Sequence, residues 1–234
     1  MGQHYGQGMV SLFCRFVIEA STSLSAASHV LRILFSDQEG AAAIPHSTTG
    51  RQWLLRLGLF KLERPKAIAD DWVWLIDHVV ALGTCKCLMI TGVRLSELPP
   101  AGSCLELRHL EPIGILPVEQ SNQEIVEQQL AAQVAKTGVP RAILSDSGSD
   151  LLSGERRFYE RHPETVLLSD MAHYGARLLK RRLEKNDRWQ EFCQQASQTK
   201  CSTGQTELGF LTPPNQRSKA RFMNLGPLLS WAGR

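Results

Sequence analysis

The chain has 234 residues, with 26 Lys and Arg against 23 Asp and Glu, and 43% of its residues are hydrophobic. That length gives one large domain or two modest ones an ample core. No apolar stretch approaches the ~20 residues needed to cross a bilayer, which excludes a helical membrane span, and no signal peptide is evident.

The charge is unevenly spread. Residues 1–66 carry 7 basic against 4 acidic side chains, residues 67–169 carry 8 against 14, and residues 170–234 carry 11 against 5. An acidic centre between basic ends suits a metal-binding core with arms that contact a polyanion, and ordinary surface charge is the competing reading. Six cysteines (Cys14, Cys85, Cys87, Cys104, Cys193 and Cys201) form no C-x-x-C pair and no regular framework. Such thiols point to a reducing compartment, so the chain is expected to be soluble and intracellular.

Residues 9–35 read as helical. Val10, Phe13, Cys14, Val17 and Ile18 recur at helical spacing, and Ser21-Thr22-Ser23 offers an N-cap for Leu24 to Phe35. A loop from Ser36 to His46 precedes a helix that begins Ser47-Thr48-Thr49-Gly50-Arg51-Gln52, continues through Trp53-Leu54-Leu55 and is expected to stop at Gly58. Polar residues crowd its first turn, and the apolar residues that follow should pack inward. A recognition helix is built this way, so Thr48, Thr49, Arg51 and Gln52 are candidate DNA contacts, with a plain helical hairpin as the alternative.

Lys66 to Asp71 looks like a linker. Strands are predicted at Trp72–Val80, Cys85–Val93 and Leu105–Pro117, joined through Gly83 and Pro99-Pro100-Ala101-Gly102 as antiparallel neighbours. Ser121-Asn122-Gln123-Glu124 has capping-box spacing and opens a helix that ends at Gly138 and Pro140. A strand at Ala142–Asp146 should then lie parallel to an earlier one. A short helix and a strand at Thr165–Leu168 follow, and the helix Tyr174–Lys185 is expected to bury Leu178, Leu179 and Leu183. Its other face carries Arg177, Lys180, Arg181, Arg182, Lys185 and Arg188, a dense cationic surface suited either to phosphates or simply to solvent.

Two acids stand out on these strands. Asp77 interrupts the apolar run Trp72–Val80, and Asp146 closes the run from Ala142. Carboxylates at buried strand positions need compensation for lost hydration, and a shared cation would supply it. Oxygen ligands without a Cys/His cluster favour Mg²⁺ or Mn²⁺ over zinc. A pair of such ions ~3.5–4 Å apart activates a water or 3′-hydroxyl in phosphodiester displacement. Gly148 permits a sharp turn beneath the metal. The alternative for Asp146 is an Asx-turn, and Asp150 reads as a helix N-cap.

The order of three antiparallel strands, helix, strand, helix and strand is that of the ribonuclease H-like fold, which sets the first and fourth strands side by side. In Trp72–Val80, Val139–Leu151 and Asp170-Met171-Ala172-His173 the chain resembles the cut-and-paste DDE transposases of bacterial insertion sequences. The resemblance spans most of residues 20–230. It implies that Asp77 and Asp146 are the first two catalytic acids, and that Asp170-x-x-His173 is the string found just after the fifth strand. Asp170 could ligate metal from the end of that strand.

One departure concerns the third acid. In transposases with that string, the catalytic glutamate usually lies beyond a helical insertion. Here Glu184, 38 residues past Asp146, is the candidate, although it sits among Lys180, Arg181, Arg182 and Lys185 and also reads as a solvated salt-bridging residue. The expectation is a C-terminally truncated transposase.

The expected architecture is α/β: a small helix-turn-helix-like domain over 1–66, a ribonuclease H-like mixed five-stranded sheet with flanking helices over 67–200, and a basic segment over 201–234 that contains Arg217-Ser218-Lys219-Ala220-Arg221. The implied partners are double-stranded DNA, at element ends and target, and a second copy of the chain on that DNA, in a cytoplasmic, nucleoid-associated setting. The implied activity is metal-dependent DNA cleavage and strand transfer. The alternatives are a non-catalytic DNA-binding derivative, or a ribonuclease H-like nuclease unrelated to transposition.

Overall fold

The computed structural model describes residues 5–35, 43–82, 85–100, 103–146, 148–215 and 221–233. Most of the Ser36–His46 loop, the Gly83 turn, Ala101-Gly102, Ser147 and the basic Arg217–Ala220 stretch lie outside the described residues.

Three helices come first: α1 (Gln7–Ile18), α2 (Leu24–Phe35) and α3 (Ser47–Glu63). Phe13, Ala27 and Leu31 form a buried centre among them, with Met9, Leu12, Phe16, Val17 and Trp53 around it. The Ser23 hydroxyl accepts from Ala26 N at 3.1 Å, which starts α2 where the Ser/Thr cluster predicts. α3 begins at Ser47 as expected and departs at its other end. Its N-cap is His46, whose ring accepts from Thr48 N, and the helix runs through Gly58 to Glu63. One glycine costs about 1 kcal/mol in a helix interior, too little to end a helix of 17 residues. Leu55, expected to pack inward, is instead exposed, as are Leu59 and Phe60.

The sheet contains β1 (Trp72–Leu82), β2 (Cys85–Arg94), β3 (Glu111–Val118), β4 (Ala142–Ser145) and β5 (Val166–Ser169), in the order β3-β2-β1-β4-β5. β1 pairs antiparallel with β2, and β2 with β3, whereas β4 runs parallel to both β1 and β5. The first and fourth strands are therefore neighbours. The fold is ribonuclease H-like.

β3 starts later than predicted. Residues 107–109 form a 3₁₀ turn closed by reciprocal bonds between Glu106 and His109, so the strand does not run from Leu105. The crossover is α4 (Gln123–Thr137), capped by Asn122 Oδ1 on Ile125 N at 2.9 Å rather than by Ser121. α5 (Ser149–Arg161) links β4 to β5. α4 and α5 approach closely, because a Cβ on Gly154 would stand 2.5 Å from Val126. Together they cover one sheet face, where Trp74, Ile76, Leu88, Ile90, Ile143, Val126, Leu130, Leu151 and Phe158 form the core. Each such side chain contributes about 1.5–3 kcal/mol on burial. After β5 come α6 (Met171–Leu183), α7 (Asp187–Thr203) and α8 (Gly226–Ala232). Among the described residues no helix is long and apolar enough to cross a membrane.

Gly138 closes α4 with φ +84°, and a Cβ there would lie 2.9 Å from the Ala69 carbonyl oxygen. Ala69 N in turn donates to Thr137 O at 2.8 Å, which ties the approach to β1 to the end of the crossover helix. Gly138→Ala combines left-handed strain with a backbone clash, so it is expected to lower stability by about 1–3 kcal/mol. Denaturant titration checks this, and an unchanged midpoint would show that the closure tolerates a side chain.

Candidate functional site

The parallel pairings end in register. Ile76 faces Ser145 across β1 and β4, and Ser145 faces Ser169 across β4 and β5. The next residues along these chains are Asp77, Asp146 and Asp170. At a strand spacing of about 4.8 Å, three acidic residues thus stand one step past the parallel pairings of three adjacent strands: Asp77 within β1, where it pairs with Met89 of β2, and Asp146 and Asp170 just beyond β4 and β5. Asp170 N donates to Ser145 O at 2.8 Å, which carries the register one step past β5.

Their surroundings differ. Alternation along β1 buries Trp72, Trp74 and Ile76 against the helices and turns Asp77 to the opposite face, where it is exposed. The expectation of a buried acid fails here: the run is apolar on both faces, but only the face of Trp72, Trp74 and Ile76 is buried under the helices. The Asp77 carboxylate makes no hydrogen bond or ion pair among the described residues. Asp146 is half-buried, and its Oδ1 accepts from Gly148 N at 2.9 Å, the Asx-turn.

Asp170 is committed to α6. Its Oδ1 accepts from Ala172 N at 2.7 Å and from His173 N at 3.3 Å, and its Oδ2 lies 2.6 Å from His173 Nδ1. The His173 hydrogen bond, with the two backbone donors, holds the Asp170 carboxyl below its ordinary value. Glu184 stands at the other end of α6, paired with Lys180 at 3.6 Å. With a rise of about 1.5 Å per residue it is about 20 Å from Asp170, so it is not brought together with the other acids.

Asp150 does not cap α5, because Gly148 occupies the N-cap. Its Oδ2 instead meets Lys86 Nζ at 3.1 Å and His78 Nδ1 at 3.5 Å. Burial pushes the Asp150 carboxyl up, but Lys86, Ser121 and His78 together hold it below its ordinary value. His78 is itself pushed down by burial.

The cationic helix is more open than expected. Leu178 and Leu179 are exposed rather than buried, and no residue of α6 is fully buried, because the helix packs on the turn at 221–223 and not on the sheet. Lys180, Arg181, Arg182 and Lys185 are exposed. Arg177 turns back to the strand ends and donates to Asp146 O at 2.6 Å. In α3, Thr48, Arg51 and Gln52 are exposed and Thr49 is half-buried.

One acid escaped the sequence reading. Glu155 on α5 is only 1% exposed, with Oε1 unpartnered. Burial, and then the nearby Asp146 charge, push it up to about 7, against the pull of a Ser145 hydrogen bond. The signal was present: Glu155 lies four residues after Leu151 and three before Phe158, on the apolar stripe of an amphipathic helix.

The donor chemistry fits a hard divalent cation. Two carboxylates on adjacent strands, completed by solvent or by phosphate oxygens, are what Mg²⁺ commonly accepts from a protein. Among the described residues no group of three or more His, Cys, Asp and Glu is arranged to hold a metal, so a cation at these strands would meet two carboxylates, those of Asp77 and Asp146.

No protein-family model matches the chain, and no curated protein matches it. Among solved structures it is similar to the Drosophila P element transposase strand transfer complex, at 12% identity and TM-score 0.44, over 95% of this chain and 57% of that one. It is also similar to the HTLV-2 integrase catalytic core domain in complex with magnesium (trimeric form), at 12% identity and TM-score 0.29, over 67% of this chain and 94% of that one. A third is the simian T-cell lymphotropic virus intasome in complex with PP2A regulatory subunit B56 gamma, at 13% identity and TM-score 0.29, over 69% of this chain and 57% of that one. The chain therefore spans little more than half the length of the P element transposase chain. The fold rests on strand order and register, which stand without these likenesses.

Glu155 yields a prediction about pH. Its value rises from 4.5 to about 7 on folding, so its favourable contribution is complete below pH 4.5 and is lost as pH climbs through 7. Glu155→Gln has no such loss and should gain on the parent across that window, by about 1–3 kcal/mol at pH 8. Melting curves at pH 4.5 and 8 read this gap, and a pH-independent gap would mean that the carboxyl is not held neutral.

Proposed function

We propose that this chain is a DNA-processing protein of the DDE transposase type, of the insertion-sequence kind, which binds Mg²⁺ or Mn²⁺ through Asp77 and Asp146 and holds double-stranded DNA. The observation that supports the reading is the register of β1 and β4, in which Asp77 and Asp146 are the residues next after the last parallel pair, Ile76 and Ser145. When bound, the cation supplies charge neutralisation and Lewis acidity for phosphodiester displacement. The chain's own residues orient it: Gly148 N fixes one oxygen of Asp146, and Arg177 grips the Asp146 carbonyl. Residues 1–66 serve DNA recognition through Thr48, Thr49, Arg51 and Gln52, residues 67–200 form the chemical domain, and residues 201–234 form a basic arm. Lys180, Arg181, Arg182 and Lys185 neutralise phosphates. Pairing of two copies on DNA, in a cytoplasmic, nucleoid-associated setting, belongs to the same reading.

A second reading, a DNA-binding protein that does not cut, is favoured by the commitment of Asp170 to capping and by the distance of Glu184. Strand cleavage needs ligands that fix the ion and orient the nucleophile, and a pair of carboxylates does this weakly. Incubation with Mn²⁺ and supercoiled plasmid decides between the readings. Nicking that disappears in Asp77→Ala supports the enzyme. Binding without nicking supports the non-catalytic reading. Loss of neither Mn²⁺ affinity nor nicking in Asp77→Ala and Asp146→Ala would sink the site itself.

Replacing Lys180, Arg181, Arg182 and Lys185 by Ala is expected to weaken duplex binding at least tenfold near 100 mM salt and to flatten its salt dependence. Fluorescence anisotropy over a salt series measures both, and an unchanged slope would return this face to solvent. Arg51→Ala with Gln52→Ala should instead alter preference among sequences, tested with DNA flanking the gene against scrambled duplex.

A further inference from the structure

We propose that Glu155 is a positioning residue for the Asp77 and Asp146 cation site, acting through the Ser145 hydroxyl to hold the end of β4. The inference rests on the cation-binding reading above and deepens it.

A glutamate buried to 1% exposure among Leu151, Phe158 and the sheet is costly, and a methionine or leucine would fill that place without loss. Its partner is informative. The Ser145 hydroxyl bonds the Glu155 carboxyl, and Ser145 is itself buried and stands immediately before Asp146. Ser145 is also the residue on which the three-strand register converges. Its backbone pairs with Ile76 and Ser169, and its carbonyl accepts from Asp170 N at 2.8 Å. A side chain that fixes Ser145 from beneath therefore fixes where Asp146 leaves the strand. Arg177 holds the Asp146 carbonyl from above at 2.6 Å. Groups that orient a ligand without touching the metal commonly alter metal affinity 10- to 100-fold when removed. The second Glu155 oxygen, unpartnered in the core, marks the position as one not built for stability alone.

The test uses the full chain and Mn²⁺ as probe, with affinity read by electron paramagnetic resonance or calorimetry and folding by near-ultraviolet circular dichroism. Glu155→Leu should bind Mn²⁺ 10- to 100-fold more weakly with its dichroism retained, and Glu155→Gln, which still accepts from Ser145, should stay within about threefold of the parent. Ser145→Ala removes the same bond with a minimal change of volume, and it keeps the question open to measurement if Glu155→Leu does not fold. It should lose Mn²⁺ affinity about tenfold. Parent-like affinity in Ser145→Ala, or in a folded Glu155→Leu, overturns the proposal while Asp77→Ala still abolishes binding. If Asp77→Ala leaves Mn²⁺ affinity unchanged, the cation-site reading has failed instead.

Discussion

The parallel register of β1, β4 and β5 is the constraint on which the rest depends. Side chains alternate along a strand, so a slip of one residue would send Ile143 out of the core and turn Ser145 away from α5. Burial prevents this: Trp74 pairs with Ile143, both fully enclosed, and Ile76 pairs with Ser145 under the same helices. α4 provides the crossover that makes β1 and β4 parallel, and the Gly138 turn returns the chain to the sheet at the correct height. The acids follow from this packing, each one residue beyond the last parallel pair.

The electrostatics at that edge are divided. Asp150 is compensated by Lys86 and His78, Asp170 by the first turn of α6 and His173, and Glu155 by holding its proton near neutral pH. Among the described residues the Asp77 carboxylate has no such partner and that of Asp146 only the Gly148 N–H, and these are the two proposed to share a cation. Ionised side by side, they repel, and a divalent ion between them relieves that repulsion. Arg177, bonded to the Asp146 carbonyl, adds a positive group on the same side.

Much of this was legible in the sequence. The strand, helix and turn order from Trp72 to Ser169 follows from apolar runs punctuated by Gly and Pro, and strand–helix–strand connectivity forces β4 to be parallel. The adjacency of Asp77 and Asp146 comes from that topology. The boundaries missed were decided by local competition: a reciprocal Glu106–His109 bond replaced the first part of β3, and Asn122 outcompeted Ser121 as a cap.

What the sequence determined by itself was periodicity, and with it which segments form strands and in what order. Solvent exposure, hydrogen-bond commitment and distance along α6 were decided only by the tertiary structure, because they depend on which face each element presents to its neighbours. Asp77 in an apolar run proved exposed, and Glu155 on a charged helix proved buried. Leu178 and Leu179 kept their apolar spacing yet found no sheet to cover. A one-dimensional pattern records which side chains share a face, and only the packed chain assigns that face to core, solvent or partner.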